Sequence, residues 1–186
     1  MQFLFCWITM KTSLITLLLC CSALLVNAQM FPALHCETLA DQKLNIPQDV
    51  QGKRSVVCLA MSPKAEKLLR SWNNPLYNAL IAEGMGGLMG GRMYNANLCF
   101  VGMLKGIAKL GLNEAKNQSK KDIEKKLHPL FMISADDVTA LMKTLQIDEV
   151  KEPHFYVLDE KGNILFHTSG EFSDAKLDQI TEKLMP

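Results

Sequence analysis

The stretch from Glu152 to Leu184 constrains the fold more than any other part of the chain. Pro153 leads into the apolar run His154 to Leu158, the turn Asp159-Glu160-Lys161-Gly162-Asn163, and a second run from Ile164 to Thr168. Two such runs around a glycine-containing turn predict a β-hairpin. Gly170 then precedes Ser173, an N-cap for a final helix with Leu177, Ile180 and Leu184 along one face.

Upstream, apolar runs and helical stripes alternate. Ser55 to Met61 is short, apolar and rich in β-branched residues, which predicts a buried strand. Ser62-Pro63 supplies a cap and a proline at the first helical position. Ala65, Leu68, Leu69, Trp72, Leu76 and Leu80 follow at helical spacing, with Asn73-Asn74-Pro75 expected to kink or break the helix. Residues 84–93 are half glycine and read as a flexible loop before the apolar run Ala96 to Leu104. A helical insertion over about 105–127, broken near Gly111 or Asn117, ends at His128-Pro129. Leu130 to Ile133 reads as a short strand, and Ser134 to Asp137 as a capping box before Val138, Leu141, Met142 and Leu145. This order predicts an α/β fold: a mixed sheet with helices on both faces, closed by a hairpin and a helix. Residues 29–53, polar and carrying Pro32 and Pro47, read as an irregular lead, so the domain is expected over 54–186.

The first 28 residues have no acid and one base, Lys11, and end in the apolar run Leu14 to Val26 followed by Asn27-Ala28. They read as a secretory signal cleaved after Ala28, which implies a periplasmic or extracellular protein. A second reading is an uncleaved membrane anchor over Phe3 to Val26. A lipid anchor is disfavoured, because no small residue stands three positions or fewer before Cys20 or Cys21. Met10 opens a compact signal by itself and is an alternative start. Without residues 1–28 the chain has 158 residues, enough for one domain, with 19 basic and 19 acidic side chains. That balance excludes a broad basic face for nucleic acid. The positive cluster from Lys116 to Lys126 also contains Asp122 and Glu124 and reads as the solvated face of a helix.

Three cysteines remain beyond the leader: Cys36, Cys58 and Cys99. An odd count allows one disulfide and one leftover thiol. Cys58 and Cys99 sit inside apolar runs, where a free cysteine behaves as a small buried hydrophobe.

The element order, with proline directly before the hairpin, resembles the thioredoxin superfamily over most of 54–186. Pro153 to Asn163 is similar to that family's cis-proline segment and turn, and Ser169 to Ser173 to its glycine bend before the last helix. Phe131 to Gly170 is similar in style to the extracytoplasmic branch that includes TlpA-like and alkyl-hydroperoxide-reductase-like proteins. Redox members of the family place Cys-x-x-Cys at the tip of the first helix, where backbone N–H groups and the helix dipole stabilise a thiolate. Here those positions read Ser62-Pro63-Lys64-Ala65, with both sulfurs absent. The long insertion and cysteine-free end are also similar to the mitochondrial ATP-synthase assembly factor family. A leader of bacterial style does not fit a mitochondrial role, so that likeness enters only as precedent for a non-redox member with an assembly function.

The resemblance implies a groove for a partner protein or an extended polypeptide of the cell envelope. It would lie between the tip residues Ser62, Pro63 and Lys64 and the segment Glu152, Pro153 and His154, with Glu152 offering its backbone to a bound strand. No cofactor is expected, no nucleic acid, and a membrane only if the leader stays attached. The alternative is an oxidoreductase or peroxidase-like enzyme using Cys36, Cys58 or Cys99. Ser62 lacks the Gly-x-Ser-x-Gly surroundings of a hydrolytic nucleophile. His154 and His167 would stand opposite each other if Leu158 paired with Asn163, but without a third ligand they read as ordinary strand residues. Met85, Met89 and Met93 read as gap-filling or partner contacts rather than a copper site.

Overall fold

In the computed structural model, residues 29–82, 94–104 and 111–185 are described. The expectations for the leader, for the glycine-rich loop 84–93 with Met85, Met89 and Met93, and for the start of the insertion at 105–110 lie outside them. Seven strands form one sheet: β1 (Leu34–Thr38), β2 (Lys43–Ile46), β3 (Arg54–Ala60), β4 (Ala96–Met103), β5 (Phe131–Ser134), β6 (His154–Leu158) and β7 (Ile164–Ser169), in the order β2-β1-β5-β4-β3-β6-β7. β3, β4 and β5 run parallel, while β6 pairs antiparallel with β3, and β7 with β6. Four α-helices accompany them among the described residues: α1 (Pro63–Leu80), α2 (Leu112–Asp122), α3 (Val138–Leu145) and α4 (Asp174–Glu182).

The central strands β3 and β6 are buried on both faces, as unbroken apolar runs require. Val57, Leu59, Cys99, Val101 and Leu158 face a core closed by Val138, Leu141 and Leu145 of α3 and by Phe31. Val56, Cys58, Phe100, Phe155 and Val157 face the other core, closed by Ala65, Leu69, Trp72 and Leu76 of α1 and by Ile180 of α4.

Three expectations change. The lead 29–53 is not irregular: β1 and β2 form an antiparallel hairpin, and β1 pairs antiparallel with β5. The alternation of buried Leu34, Cys36 and Thr38 with polar neighbours marks β1, but the hairpin joins the main sheet only through β5, a strand about a hundred residues away. α1 runs through Pro75 without a break. An interior proline costs about 3 kcal/mol, whereas each large side chain of the buried stripe contributes about 1.5–3 kcal/mol; Trp72 and Leu76, which flank Pro75, are both fully buried. The capping box before α3 is a single cap: Asp137 Oδ1 accepts from the N–H groups of Thr139 at 2.8 Å and Ala140 at 3.3 Å.

The β6–β7 turn is built by Asp159. Its carboxylate accepts from the N–H groups of Lys161 at 2.9 Å and Asn163 at 2.7 Å. Gly162 has φ +91°, and a Cβ there would come within 2.6 Å of Pro47. Only glycine fits where the N-terminal hairpin packs on the turn.

Candidate functional site

Ser62 caps α1, accepting the Ala65 N–H at 3.2 Å while its own hydroxyl donates to the Val150 carbonyl at 2.8 Å. The position that carries chemistry in redox members of the fold is here a tie between the helix tip and the loop before β6. The Ser62 proton is committed to a carbonyl, and its hydrogen-bond partners among the described residues include no base. Pro63 and Lys64 are exposed beside it, and Glu152 is half-buried. Pro153 and His154 are buried, so of the six groove residues these two present no open wall.

The peptide before Pro153 is not cis; among the described residues the cis peptide precedes Pro47. The chain enters β6 in the trans form with the Pro153 carbonyl accepting the Gly170 N–H at 3.0 Å, which carries the hairpin ladder one residue past the strand. Glu152 turns its carboxylate back to the Ser169 hydroxyl at 3.3 Å.

The two histidines of the hairpin do meet, in a different register from the one considered. A bulge between Val157 and Leu158 pairs Leu158 with Ile164, so His167 stands opposite Tyr156 and diagonal to His154. His154 Nε2 lies 2.8 Å from the Glu149 carbonyl, which can only accept, so that nitrogen carries the hydrogen. With that ring neutral, His154 Nδ1 accepts from His167 Nε2–H at 3.1 Å. With ring centroids 5.3 Å apart and planes 7° from parallel, the rings lie nearly coplanar, edge to edge. Burial, with His154 beside it, lowers the pKa of His167. Both facing nitrogens are occupied by each other, and no group of three metal-ligating side chains occurs among the described residues.

Cys36, Cys58 and Cys99 are buried and unpaired. Burial pushes all three thiols up, Cys99 to about 12, so none is a thiolate at neutral pH. The disulfide that an odd count left open is not formed among them. His35 binds Asp136 through both its backbone N–H at 2.7 Å and Nδ1 at 3.1 Å.

Sequence reasoning missed Lys116. Instead of facing solvent it is 7% exposed and pairs with Glu37 and, at 2.5 Å, with Asp41. Its signal is faint, because a lysine on a polar helix looks the same whichever way the helix is turned.

A mixed sheet with helices on both faces and a capped helix tip before an antiparallel hairpin defines a thioredoxin-like protein, here without Cys-x-x-Cys. The chain belongs to the family described as ATP10 protein, whose model matches residues 26–184. Its membership accords with the thioredoxin-like fold that the element order implied. Among solved structures it is similar to StoA from Bacillus subtilis, at 20% identity and TM-score 0.52 over 81% of this chain and 97% of that one. A thio-disulfide isomerase from Thermus thermophilus matches at 13% identity and TM-score 0.51, over 84% of this chain and 95% of that one. A putative protein disulfide isomerase from Bacteroides thetaiotaomicron matches at 11% identity and TM-score 0.50, over 84% and 89%. At these identities the structures establish the fold alone. No curated protein matches the chain. Among the described residues no helix is long and apolar enough to cross a membrane.

Proposed function

We propose that this chain is a thioredoxin-like assembly factor without thiol chemistry, exported to the cell envelope, where it holds a partner protein or an extended polypeptide at the tip of α1. One observation carries the reading: where redox members of the fold keep two sulfurs, Ser62 ties the helix to Val150, and the three thiols lie in the core. Family membership supports the assembly role, and the ATP-synthase connection comes with it. The acid-free, apolar residues 1–28 support export. The contact surface is formed by Pro63 and Lys64 on the tip and by the Glu152 segment across from it, where a bound strand would pair with backbone.

Photo-crosslinking in the intact envelope tests this. Probes at Lys64 and Glu152 should trap the same partner, and Lys64→Glu should weaken the capture from position 152. Equal trapping from Asn78, at the far end of α1, would overturn the reading. So would insulin reduction by the purified chain that is abolished by Cys58→Ala or Cys99→Ala, which would replace it with a thiol-dependent enzyme.

A further inference from the structure

We infer that α2, the helix crossing from β4 to β5, is an arm held on the sheet by a charge latch and released when that latch is screened. This goes beyond the proposed role and does not depend on it. Among the described side chains of α2, Lys116 alone is buried, and its half-buried neighbours are Ala115, Ser119 and Lys120. The described part of this face, Ala115, Lys116, Ser119 and Lys120, therefore carries small and cationic groups where α1 has Leu69, Trp72 and Leu76.

What the face meets is acidic. Leu34, Cys36 and Thr38 of β1 are buried, and Glu37 points to the opposite side of the sheet. There Lys116 Nζ binds Glu37, and it reaches Asp41 at 2.5 Å. Lys120 binds the second oxygen of Asp41 at 2.8 Å. Asp41 stands in the β1–β2 turn with φ +65°, placing its carboxylate between the two lysines. Hydrogen bonds from Lys116 and Lys120 hold its pKa at about 2. Burial works against the Lys116 charge, but its bonds to Asp41 and Glu37 outweigh it.

Lys116 is buried, but Asp41 and Lys120 keep the cluster open to solvent, so it is sensitive to ionic strength in a way that an apolar stripe is not. The latch thus makes the seating of α2 against β1 depend on the ionic strength of the solvent. An acidic segment that competed with Glu37 and Asp41 for the lysines would open it.

Hydrogen exchange of the full chain, followed by mass spectrometry at about 0.01 M and about 1 M sodium chloride, tests the latch, since the screening length falls from roughly 30 Å to roughly 3 Å between them. Peptides covering 112–122 should exchange about tenfold faster at high salt, with peptides of β3 unchanged. Glu37→Gln with Asp41→Asn should give the high-salt rate already at low salt. Lys116→Met should reduce the salt effect on 112–122. If the carboxylate variant loses protection in β3 as well, the salt series on the unmodified chain decides. Equal exchange of 112–122 at both salt concentrations overturns the inference.

Discussion

α1 and α2 lie on the same sheet and are held there by opposite means. α1 buries Ala65, Leu69, Trp72, Leu76 and Leu80 in one continuous stripe and stays intact through Pro75. α2 has no interior proline, and its one buried side chain among those described is a lysine paired with two carboxylates. A helix moored by apolar area tolerates a local defect, because many contacts share the load. A helix moored by a few charges depends on each of them and on the solvent between them.

The largest effect expected from breaking this contrast is at Trp72. Its indole packs on Phe155 at 4.1 Å, and Nε1–H donates to the Gly170 carbonyl at 3.1 Å. Trp72→Ala should lower global stability by about 3–5 kcal/mol in denaturant titration; a loss under about 1 kcal/mol would remove α1 as the apolar anchor. Pro75→Ala should act the other way. It restores the N–H that Ser71 lacks as a partner and should raise stability by about 1–2 kcal/mol in the same titration. No gain would mean that the proline is already compensated locally.

Ser62→Ala removes a helix cap and the tie to Val150 and should cost about 1 kcal/mol. Read by exchange, the loss should appear in the first turn of α1 and in residues 147–152 together. The smallest effect belongs to acid. Asp41 has a folded pKa of about 2, below its ordinary 3.8, so the stabilisation it gives is present above about pH 4 and is lost as pH falls toward 2. Amide exchange of 112–122 should stay constant from neutral pH to about pH 5, after correction for the intrinsic rate, and rise below about pH 4 before β3 opens. Loss of protection in both at the same pH would merge the two helices into one cooperative unit.

The sheet was legible wherever one strand carries its own signal. Ser55 to Met61, Ala96 to Leu104 and the two arms of the hairpin are apolar runs that need no partner to be recognised. β1 and β2 were not, because five and four half-polar residues become strands only by pairing with each other and, through β1, with the edge of β5. At the site, the Ser62 cap was readable from Ser-Pro at the start of a helical stripe, but its bond to Val150 joins residues 88 positions apart. The hairpin was readable and its register was not. The bulge after Val157 moved Tyr156, and not His154, opposite His167.

The amino-acid sequence by itself determined the alternation of strands and helices, the cap at Ser62 and the absence of sulfur at positions 62 and 65. These are properties of residues within a few positions of each other, fixed by propensity and periodicity. Only the tertiary structure decided that residues 29–53 extend the sheet, that Pro153 and His154 lie inside it, and that Lys116 turns inward. Each of those depends on which distant surface meets the segment, and a charge or a short strand acquires its role only from the partner it is folded against.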